Sequence, residues 1–185
     1  MKQYKAQIMD AAAVGRCITR ISHEIIERNK GVEELCVIGI KRRGVPIARQ
    51  ICEHIERIEG TRIPCGTVDI NFYRDDLTTG REHPEIKKIE LPFPVEGRRV
   101  VLVDEVLFTG RTVRAAIDAV FSVGRPKAIQ LAILIDRGHR ELPIRADFIG
   151  KNIPTSRAER VAVCLPPYDG ETGVFIYERP DTPGI

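Results

Sequence analysis

A strand, a loop and a helix follow one another within residues 99–124, and this succession constrains the fold more than any other part of the chain. Val100 to Val103 is an apolar, β-branched run, which is typical of a strand buried on both faces. Two acids and a short polar loop come next. Apolar residues then recur at helical spacing, at Val113, Ala116, Ile117 and Val120. This is half of a βαβ unit, so it predicts an α/β protein with a parallel sheet.

The loop after this strand has the features of a phosphate-binding site. Thr109 and Thr112 offer hydroxyl groups, Gly110 lets the backbone approach closely, and a helix N-terminus supplies free amides. The neighbouring acids, Asp104 and Glu105, are unsuited to phosphate but suit ribose hydroxyls or a cation. Ligands of open α/β sheets bind beyond the carboxyl ends of the strands. The strand end therefore predicts adjacent sites for a sugar and its 5′-phosphate. The alternative is a helix capped by one threonine beside two solvated acids.

The string from Val103 to Thr112 resembles the binding motif for 5-phosphoribosyl-1-diphosphate (PRPP) of the type I phosphoribosyltransferases. The resemblance implies the fold of that superfamily, in which a central, mostly parallel sheet is flanked by helices and completed by a small hood. It also implies that a ribose 5-phosphate binds at this strand end.

Length and composition fit a single globular domain over residues 1–185, with 43% hydrophobic and 30% charged residues. No window approaches the run of about 18 apolar residues that a membrane helix needs, and no apolar segment follows the N-terminus. We therefore expect no membrane association, no export and a cytoplasmic location. The five cysteines are odd in number and widely spaced, which predicts buried free thiols rather than disulfides or zinc ligands.

The first helix is predicted from Asp10, which can cap it, to about Asn29. Its apolar residues fall on one face. Thr19 and His23 fall on another, together with arginines at steps of three and four. From the residues alone this second face is best interpreted as a solvated basic surface.

A basic turn follows the next buried strand, Leu35 to Ile40. The strand ends in Lys41-Arg42-Arg43-Gly44, and Pro46 lies near the first turn of a helix that extends to about Glu59. Three bases at a strand-to-helix junction form an anion site, and we expect them at the same sheet edge as the acidic pair. The alternative is a basic turn without a ligand.

Two segments lack apolar periodicity. The first, residues 75–90, is predicted to be a flexible loop. It could be a lid over a diphosphate, reached by Arg74, Arg81 or the lysines of the loop, or equally an open hairpin. The second, residues 180–185, is a Pro-rich tail that we expect to be loose.

The C-terminal part combines strands with a basic segment. Ala128 to Ile135 predicts a strand, shorter strands are expected near Phe148 and over 161–165, and Val174 to Tyr177 predicts a final edge strand. Residues 137–160 contain six Lys/Arg against three Asp/Glu, an excess equal to the whole chain's net charge of +3. That net charge by itself is too small to argue for nucleic acid.

Three strings together resemble a narrower family. They are Thr19 to Glu24, Val103 to Thr112, and Asp136 to Asp147 with its continuation Gly150 to Ser156. The combination is similar to the bifunctional pyrimidine operon attenuation regulators that are also uracil phosphoribosyltransferases. It covers the chain from about residue 6 to residue 163.

That resemblance implies two activities and several partners. The enzyme makes uridine nucleotide from uracil and PRPP with Mg²⁺ as cofactor. The regulator binds a hairpin in the leader of pyrimidine-gene messenger RNA when uridine nucleotide is bound, and so favours termination. Members of the family form homodimers or larger homo-oligomers. A regulator with only residual transferase activity, and a plain salvage transferase for a purine base such as hypoxanthine, are the alternatives.

The chemistry of the reaction assigns roles to the charged residues. Displacement at C1′ of PRPP builds positive charge on the sugar and negative charge on the leaving diphosphate. We expect Arg42 and Arg43 to bind the diphosphate. Asp104 and Glu105 are expected to hold the ribose hydroxyls, directly or through Mg²⁺.

The remaining substrate contacts are expected at the loop after the central strand and at the end of the next strand. The 5′-phosphate is assigned to Thr109, Gly110, Arg111 and Thr112, and uracil to backbone groups and Arg137, with Val161 nearby. One residue departs from the usual superfamily pattern, because the second acid is more often aspartate than glutamate. The extra methylene of Glu105 moves its carboxylate by about 1.5 Å. Misplacement of about 1 Å can lower a rate by about 10²-fold, so catalysis could be weak while nucleotide binding persists.

Five residues match family positions implicated in RNA contact: Thr19, His23, Arg140, Arg145 and Lys151. They supply positive charge for phosphates and side chains able to hydrogen-bond the exposed bases of an RNA loop. The RNA sequence bound, the metal count and the oligomer size are not predicted by the sequence.

Overall fold

The computed structural model describes residues 4–71 and 85–178. Along these ranges the first five elements alternate between strands and helices, and the other seven are strands except for one helix. In chain order they are β1 (Ala6–Met9), α1 (Ala11–Asn29), β2 (Leu35–Ile40), α2 (Gly44–Glu59), β3 (Cys65–Asn71), β4 (Glu85–Glu90), β5 (Arg99–Leu107), α3 (Arg111–Val123), β6 (Ala128–Asp136), β7 (Phe148–Asn152), β8 (Glu159–Cys164) and β9 (Gly173–Glu178). Within the described ranges no helix is both long enough and apolar enough to cross a membrane.

The larger sheet has six strands in the order β4-β3-β2-β5-β6-β7. Among the strands of the described residues, β2, β3, β5, β6 and β7 pair in parallel, and β4 alone is antiparallel, to β3. β5 lies near the centre, where Val101 pairs with Val37 on one side and with Gln130 on the other. The predicted α/β fold with a mostly parallel central sheet is confirmed. The carboxyl ends of the parallel strands form one edge.

A smaller antiparallel sheet, β1-β9-β8, forms the hood. β9 is its central strand, whereas the sequence predicted a final edge strand there. Gln7 of β1 pairs with Phe175 on one side of β9, and Ala162 of β8 pairs with the same residue on the other. Because the N-terminal strand occupies the second edge of β9, a pattern local to residues 174–177 could not indicate this position.

Alternating side chains of β5 supply two apolar layers. Val101 and Val103 are buried in the cluster that contains the inner faces of α1 and α2 and part of the hood. Val100 and Leu102 are buried in a second cluster, against α3. A strand that is covered on both faces explains the continuous apolar run in the sequence.

Local signals set the ends of the helices. The Asp10 side chain accepts a hydrogen bond from the Ala13 amide at 2.7 Å, which caps α1 as predicted. The helix ends at Asn29, and Lys30 takes a left-handed conformation with a φ of 56°. α2 likewise ends at Glu59, before the left-handed Gly60.

Residues 85–90, which we expected within a flexible loop, form β4 instead. Thr67 pairs with Glu90 and Val68 with Ile89, so β4 takes its backbone hydrogen bonds from β3. β4 is an edge strand, and edge strands tolerate the charged composition that obscured it in the sequence. The rest of the predicted loop and the predicted tail, residues 180–185, lie outside the described residues.

All five cysteines are free. Cys36 is fully buried, whereas the other four are half-buried. Burial raises the pKa of the Cys36 thiol to about 12, so this side chain is a neutral part of the core.

Candidate functional site

Asp104, Glu105 and the loop over residues 108–112 lie together at the carboxyl end of β5, and we call this set the nucleotide edge. The sequence suggested that the two acids follow the strand. In the structure they lie inside it. Parallel pairing with β6 continues through Val106 and ends where Leu107 meets Asp136. The acids are therefore held by sheet hydrogen bonds, and only the loop is irregular.

Asp104 is a buried carboxyl group, 6% exposed. Its Oδ1 accepts a hydrogen bond from the backbone amide of Glu105 at 2.9 Å. Burial raises the pKa of Asp104 well above its ordinary value, and the negative charge of Glu105 adds to the shift. Hydrogen bonds from ribose hydroxyls, or a bound cation, would offset the free-energy cost of burying the charged Asp104 carboxylate. Among the described residues, no three His, Cys, Asp or Glu side chains form a group that could hold a metal ion.

The basic turn before α2 is brought to this edge by Gly44. A Cβ atom at Gly44 would lie 2.4 Å from the Val103 carbonyl oxygen and 3.1 Å from Cα of Asp104. Only glycine allows the start of α2 to pack this closely on β5. Three bases and two acids therefore meet at the same sheet edge, as the sequence predicted.

Within the basic turn, Arg42 and Arg43 have different surroundings. Arg42 is exposed and follows a cis peptide bond with Lys41. Arg43 donates from Nε and Nη2 to the two carboxylate oxygens of Asp169, both at 2.9 Å. The guanidinium lowers the pKa of Asp169, whose Oδ2 also accepts from the Leu165 amide at 2.8 Å. Arg43 thus fastens the sheet edge to the loop between β8 and β9.

Sequence reasoning missed Asp169. The dipeptide Asp169-Gly170 indicates a turn, but nothing in the sequence links it to an arginine 126 positions earlier. The pairing arises because β8 and β9 place this loop over the carboxyl edge of the larger sheet.

The phosphate loop leads directly into α3. Gly110 precedes the helix with a φ of 94°, a conformation that favours glycine. Within the described part of the chain no side chain makes a capping hydrogen bond to α3, so the threonine-capped alternative is not what the structure has, although the Thr109 hydroxyl accepts from the Arg111 amide at 3.4 Å. Thr112 is half-buried in the first turn, and the exposed Arg111 forms an ion pair with Glu141 at 2.8 Å. The start of α3 therefore combines backbone amides with the hydroxyl groups of Thr109 and Thr112.

Arg137, expected at uracil, is a buried side chain, 7% exposed. Its Nη2 donates to the carbonyl oxygens of Ser156 at 3.0 Å and Glu159 at 2.8 Å. Its guanidinium carbon lies 4.2 Å from the centre of the Phe108 ring, an aromatic group to which the sequence assigned no role. Val161, on β8 of the hood, is buried in the core cluster that also contains residues of α1 and α2.

Helix α1 and strand β7 lie side by side. Arg20 donates from Nη2 to the carbonyl oxygens of Ile149 and Gly150, at 3.0 and 2.6 Å. His23 on α1, Arg145 before β7 and Lys151 on β7 are all exposed, and we call these three residues the basic face. The fold thus brings the first and third sequence strings to neighbouring elements.

Thr19 is less available than the residues of the basic face. It is half-buried, and its hydroxyl donates to the Gly15 carbonyl oxygen at 3.0 Å. The same hydroxyl lies 3.5 Å from Nε2 of His54 on α2, a residue that the sequence did not single out. The pKa of His54 is lowered by burial and by the charge of Arg57.

Arg140 differs most from the expectation of an RNA contact. Its side chain is 22% exposed and its guanidinium pairs with the Asp136 carboxylate. It also donates to the carbonyl oxygens of Ile144 at 2.9 Å and Phe108 at 2.8 Å. A cavity of about 520 Å³ lies beside it and is lined by Asp136, Arg137, Gly138, Arg140, Ile144, Arg145, Ile149, Asn152, Ile153 and Pro154.

The sequence profile of the phosphoribosyl transferase domain family matches residues 5–164. Among curated proteins, the bifunctional protein PyrR of Clostridioides difficile is 61% identical over 174 residues, which are 94% of this chain and 98% of that protein. The bifunctional protein PyrR of Caldicellulosiruptor bescii is 57% identical over 176 residues, which are 95% of this chain and 96% of that protein.

Solved structures share the fold at much lower identity. A hypoxanthine-guanine phosphoribosyltransferase from Bacillus anthracis is 20% identical with a TM-score of 0.73, over 94% of this chain and 98% of that one. A hypoxanthine phosphoribosyltransferase from Trypanosoma cruzi is 19% identical with a TM-score of 0.73, over 95% and 96%. These similarities confirm the type I phosphoribosyltransferase fold.

Proposed function

The chain belongs to the phosphoribosyl transferase domain family, and on that premise we propose a uridine-nucleotide-responsive regulator of pyrimidine genes that also converts uracil and PRPP to uridine monophosphate and diphosphate. Relatives at 61% and 57% identity are named bifunctional protein PyrR. One observation carries the proposal. The basic segment that follows β6 packs on the phosphate loop, since the amides of Glu141 and Leu142 donate to the Thr109 carbonyl oxygen at 3.0 and 3.2 Å.

The nucleotide edge supports binding of a ribose 5-phosphate. The backbone amides at the start of α3 and the hydroxyls of Thr109 and Thr112 would donate to phosphate oxygens. Arg111 would add positive charge. Asp104 and Glu105 would accept hydrogen bonds from the ribose hydroxyls, which favours the charged form of the buried Asp104 carboxyl group.

The two acids also fit Mg²⁺, which prefers oxygen ligands and is commonly bound by one or two carboxylates together with substrate phosphates. Asp104 and Glu105 are such a donor set and do not form an all-protein cage. When bound with PRPP, the metal would offset negative charge on the diphosphate.

Arg42 and Arg43 are proposed to bind the leaving diphosphate. Arg42 is exposed in the basic turn, two residues before Gly44, which packs on Val103 and Asp104, and its guanidinium would stabilise charge that grows as the C1′ bond breaks. Arg43 would first exchange its Asp169 carboxylate for diphosphate oxygens, so in our proposal the hood loop and the leaving group compete for one side chain.

Uracil is proposed to bind at backbone groups near the end of β6 and at Arg137, with Val161 nearby. The Arg137 guanidinium donates from Nε to the Thr155 hydroxyl and from Nη2 to the carbonyl oxygens of Ser156 and Glu159. This fixed position would suit an orienting group, because little side-chain entropy would be lost when the base binds.

The basic face is proposed to bind the leader hairpin. His23, Arg145 and Lys151 are exposed on adjacent elements, and RNA sequence is read mainly on unpaired loop bases by such side chains. Thr19, at the margin of this face, would join through its hydroxyl. A protein that acts on a growing transcript would work in the cytoplasm, and assembly into a homodimer or larger oligomer is part of the proposal.

The decisive experiment measures equilibrium affinity for a labelled pyrimidine leader hairpin with and without uridine monophosphate, alongside turnover of uracil and PRPP with Mg²⁺. We expect tighter hairpin binding with the nucleotide and measurable uracil turnover. No hairpin affinity at moderate salt, together with turnover of hypoxanthine, would indicate the plain salvage transferase instead.

A second arm separates the bifunctional protein from a regulator with residual activity. Glu105→Asp restores the acid more usual in the superfamily and moves the carboxylate by about 1.5 Å. A large gain in uracil turnover would indicate that the natural chain is primarily a regulator. Equal turnover would show that Glu105 does not impair catalysis and would support the hypothesis of a bifunctional protein.

A further inference from the structure

Arg140 belongs to the basic segment, residues 137–160, and its side chain is bonded both to the phosphate loop and to other residues of that segment. On the loop side, its Nη1 donates to the carbonyl oxygens of Phe108 at 2.8 Å and Leu107 at 3.4 Å. On the segment side, its Nε donates to the Ile144 carbonyl oxygen at 2.9 Å. Its Nη2 pairs with the carboxylate of Asp136, the last residue of β6. One guanidinium therefore joins two strand ends and a surface segment.

Contacts around Arg140 reinforce this junction. The Thr109 carbonyl oxygen accepts hydrogen bonds from the amides of Glu141 and Leu142, at 3.0 and 3.2 Å. A Cβ atom at Gly110 would lie 3.4 Å from side-chain atoms of Leu142 and Ile144. The loop that is proposed to hold the 5′-phosphate and the segment that leads into Arg145 therefore pack as one unit.

We propose that Arg140 is a positioning residue that couples nucleotide occupancy to RNA binding rather than an RNA contact. The inference rests on the proposed function and deepens it. A phosphate that orders the loop over residues 108–112 also orders the carbonyl groups to which Arg140 is bonded. Through Ile144, the same side chain sets the backbone immediately before Arg145, which is exposed on the basic face.

Arginine is suited to this role and lysine is not. The guanidinium is planar and presents donors in several fixed directions, so it reaches carbonyl groups of Phe108 and Ile144 and the Asp136 carboxylate at once. A lysine ammonium group is a compact point charge and would satisfy only part of this set. Arg140→Lys therefore keeps the charge while it breaks the junction.

Coupling of two ligands is reciprocal, so it can be measured from either side. The test uses the full chain, uridine monophosphate and the labelled leader hairpin. Hairpin affinity is measured with and without nucleotide, and nucleotide affinity with and without hairpin, for the natural protein, Arg140→Gln, Arg140→Lys and Arg145→Gln. In the natural protein we expect the two ligands to strengthen each other by about 5- to 150-fold, the usual range for allosteric coupling.

The ratio of hairpin affinities measured with and without nucleotide expresses the coupling. For both Arg140 variants we expect this ratio to fall to within about twofold of unity, with hairpin affinity in the absence of nucleotide little changed. For Arg145→Gln we expect both hairpin affinities to fall by one common factor, so that the ratio is kept. If Arg140→Gln behaves like Arg145→Gln, or if Arg140→Lys keeps the natural ratio, Arg140 is not a coupling residue.

Failure of the proposed function has a different signature. A natural protein whose hairpin affinity does not respond to uridine monophosphate would overturn both the regulator and the coupling. A natural protein that responds, beside Arg140 variants that respond equally, would overturn the coupling alone. Should Arg140→Gln fail to fold, the charge-conserving Arg140→Lys decides the question by itself.

Discussion

The nucleotide edge and the basic face are built from different parts of the chain in different ways. The edge comes from one short stretch, is shaped by backbone groups, and contains a carboxyl group that is only 6% exposed. The face consists of exposed side chains from α1 and from residues 145–151, which hydrogen bonds from Arg20 to β7 bring together. Changes at the edge should therefore disturb fold and chemistry together, whereas changes at the face should remove one function and leave stability alone.

The largest expected effect lies at the nucleotide edge. Thr112→Ala removes a hydroxyl group from the proposed phosphate site. Loss of one well-placed transition-state donor lowers a rate by about 10²- to 10³-fold, and we expect uracil turnover and nucleotide affinity to fall together. Steady-state kinetics and calorimetric titration of uridine monophosphate measure the two quantities. If neither changes, the phosphate assignment is wrong.

A change at the basic face should act on RNA alone. Arg145→Gln removes an exposed charge, and a lost base or phosphate contact of this kind weakens binding by about 1–3 kcal/mol, or about 5- to 150-fold. We expect uracil turnover and the unfolding midpoint to match those of the natural protein. Unchanged hairpin affinity at moderate salt would contradict the assignment, and reduced turnover would show that the two regions are not separable.

Substitution of two glycines by alanine compares the packing of the two regions. Gly44 lies beside the nucleotide edge, and Gly15 lies on α1, the helix that carries part of the basic face. At Gly44 an added Cβ would meet the Val103 carbonyl oxygen at 2.4 Å, whereas at Gly15 of α1 it would meet no atom of the described residues within 4 Å. We expect Gly44→Ala to lower the free energy of unfolding by about 1–3 kcal/mol, because the backbone has to move. Gly15→Ala should raise it by about 0.5–1 kcal/mol. Denaturant unfolding of both variants measures the difference, and equal effects would count against the close packing of α2 on β5.

The smallest effect concerns the ion pair that ties the edge to the hood. The hydrogen bonds of Arg43 lower the pKa of Asp169 in the folded protein. The stabilisation is therefore complete above the ordinary aspartate pKa of about 3.9 and is lost as the pH falls through the lower, folded value. Asp169→Asn should be less stable than the natural protein by about 1 kcal/mol at pH 7.

That difference should shrink as the pH falls below about 4. Denaturant unfolding at several pH values measures the change. A stability difference that is the same at pH 3 and pH 7 would mean that the carboxylate charge is not what matters. Because Arg43 is also proposed to bind diphosphate, the same variant shows whether freeing this side chain alters the KM for PRPP.

Local features of the fold were predictable because their causes are local. Neighbouring residues determine the cap at Asp10, the end of α2 before Gly60 and the apolar periods of α1, α2 and α3. The meeting of the basic turn with Asp104 was also predictable, because parallel strands end at one edge of a sheet. The assignments of individual residues to substrate or RNA stay predictions.

Features that join distant segments were not predictable in this way. β4 was missed because an edge strand needs little apolar pattern, and β9 was misplaced because the N-terminal strand pairs beside it. The Arg43–Asp169 pair and the inward orientation of Arg140 depend on groups that the chain order does not relate.

The sequence by itself determined the α/β class, the helices, and a strand end with acids, hydroxyls and a glycine within residues 104–112, because hydrophobic period and turn chemistry act over a few residues. Tertiary structure alone decided which charged side chains face solvent and which form hydrogen bonds and ion pairs within the protein. Arg140 and Arg145 look alike in the sequence, yet only one is exposed. The difference arises because carbonyl groups of another strand end and a carboxylate lie within reach of Arg140, and burying such groups unpaired would be unfavourable.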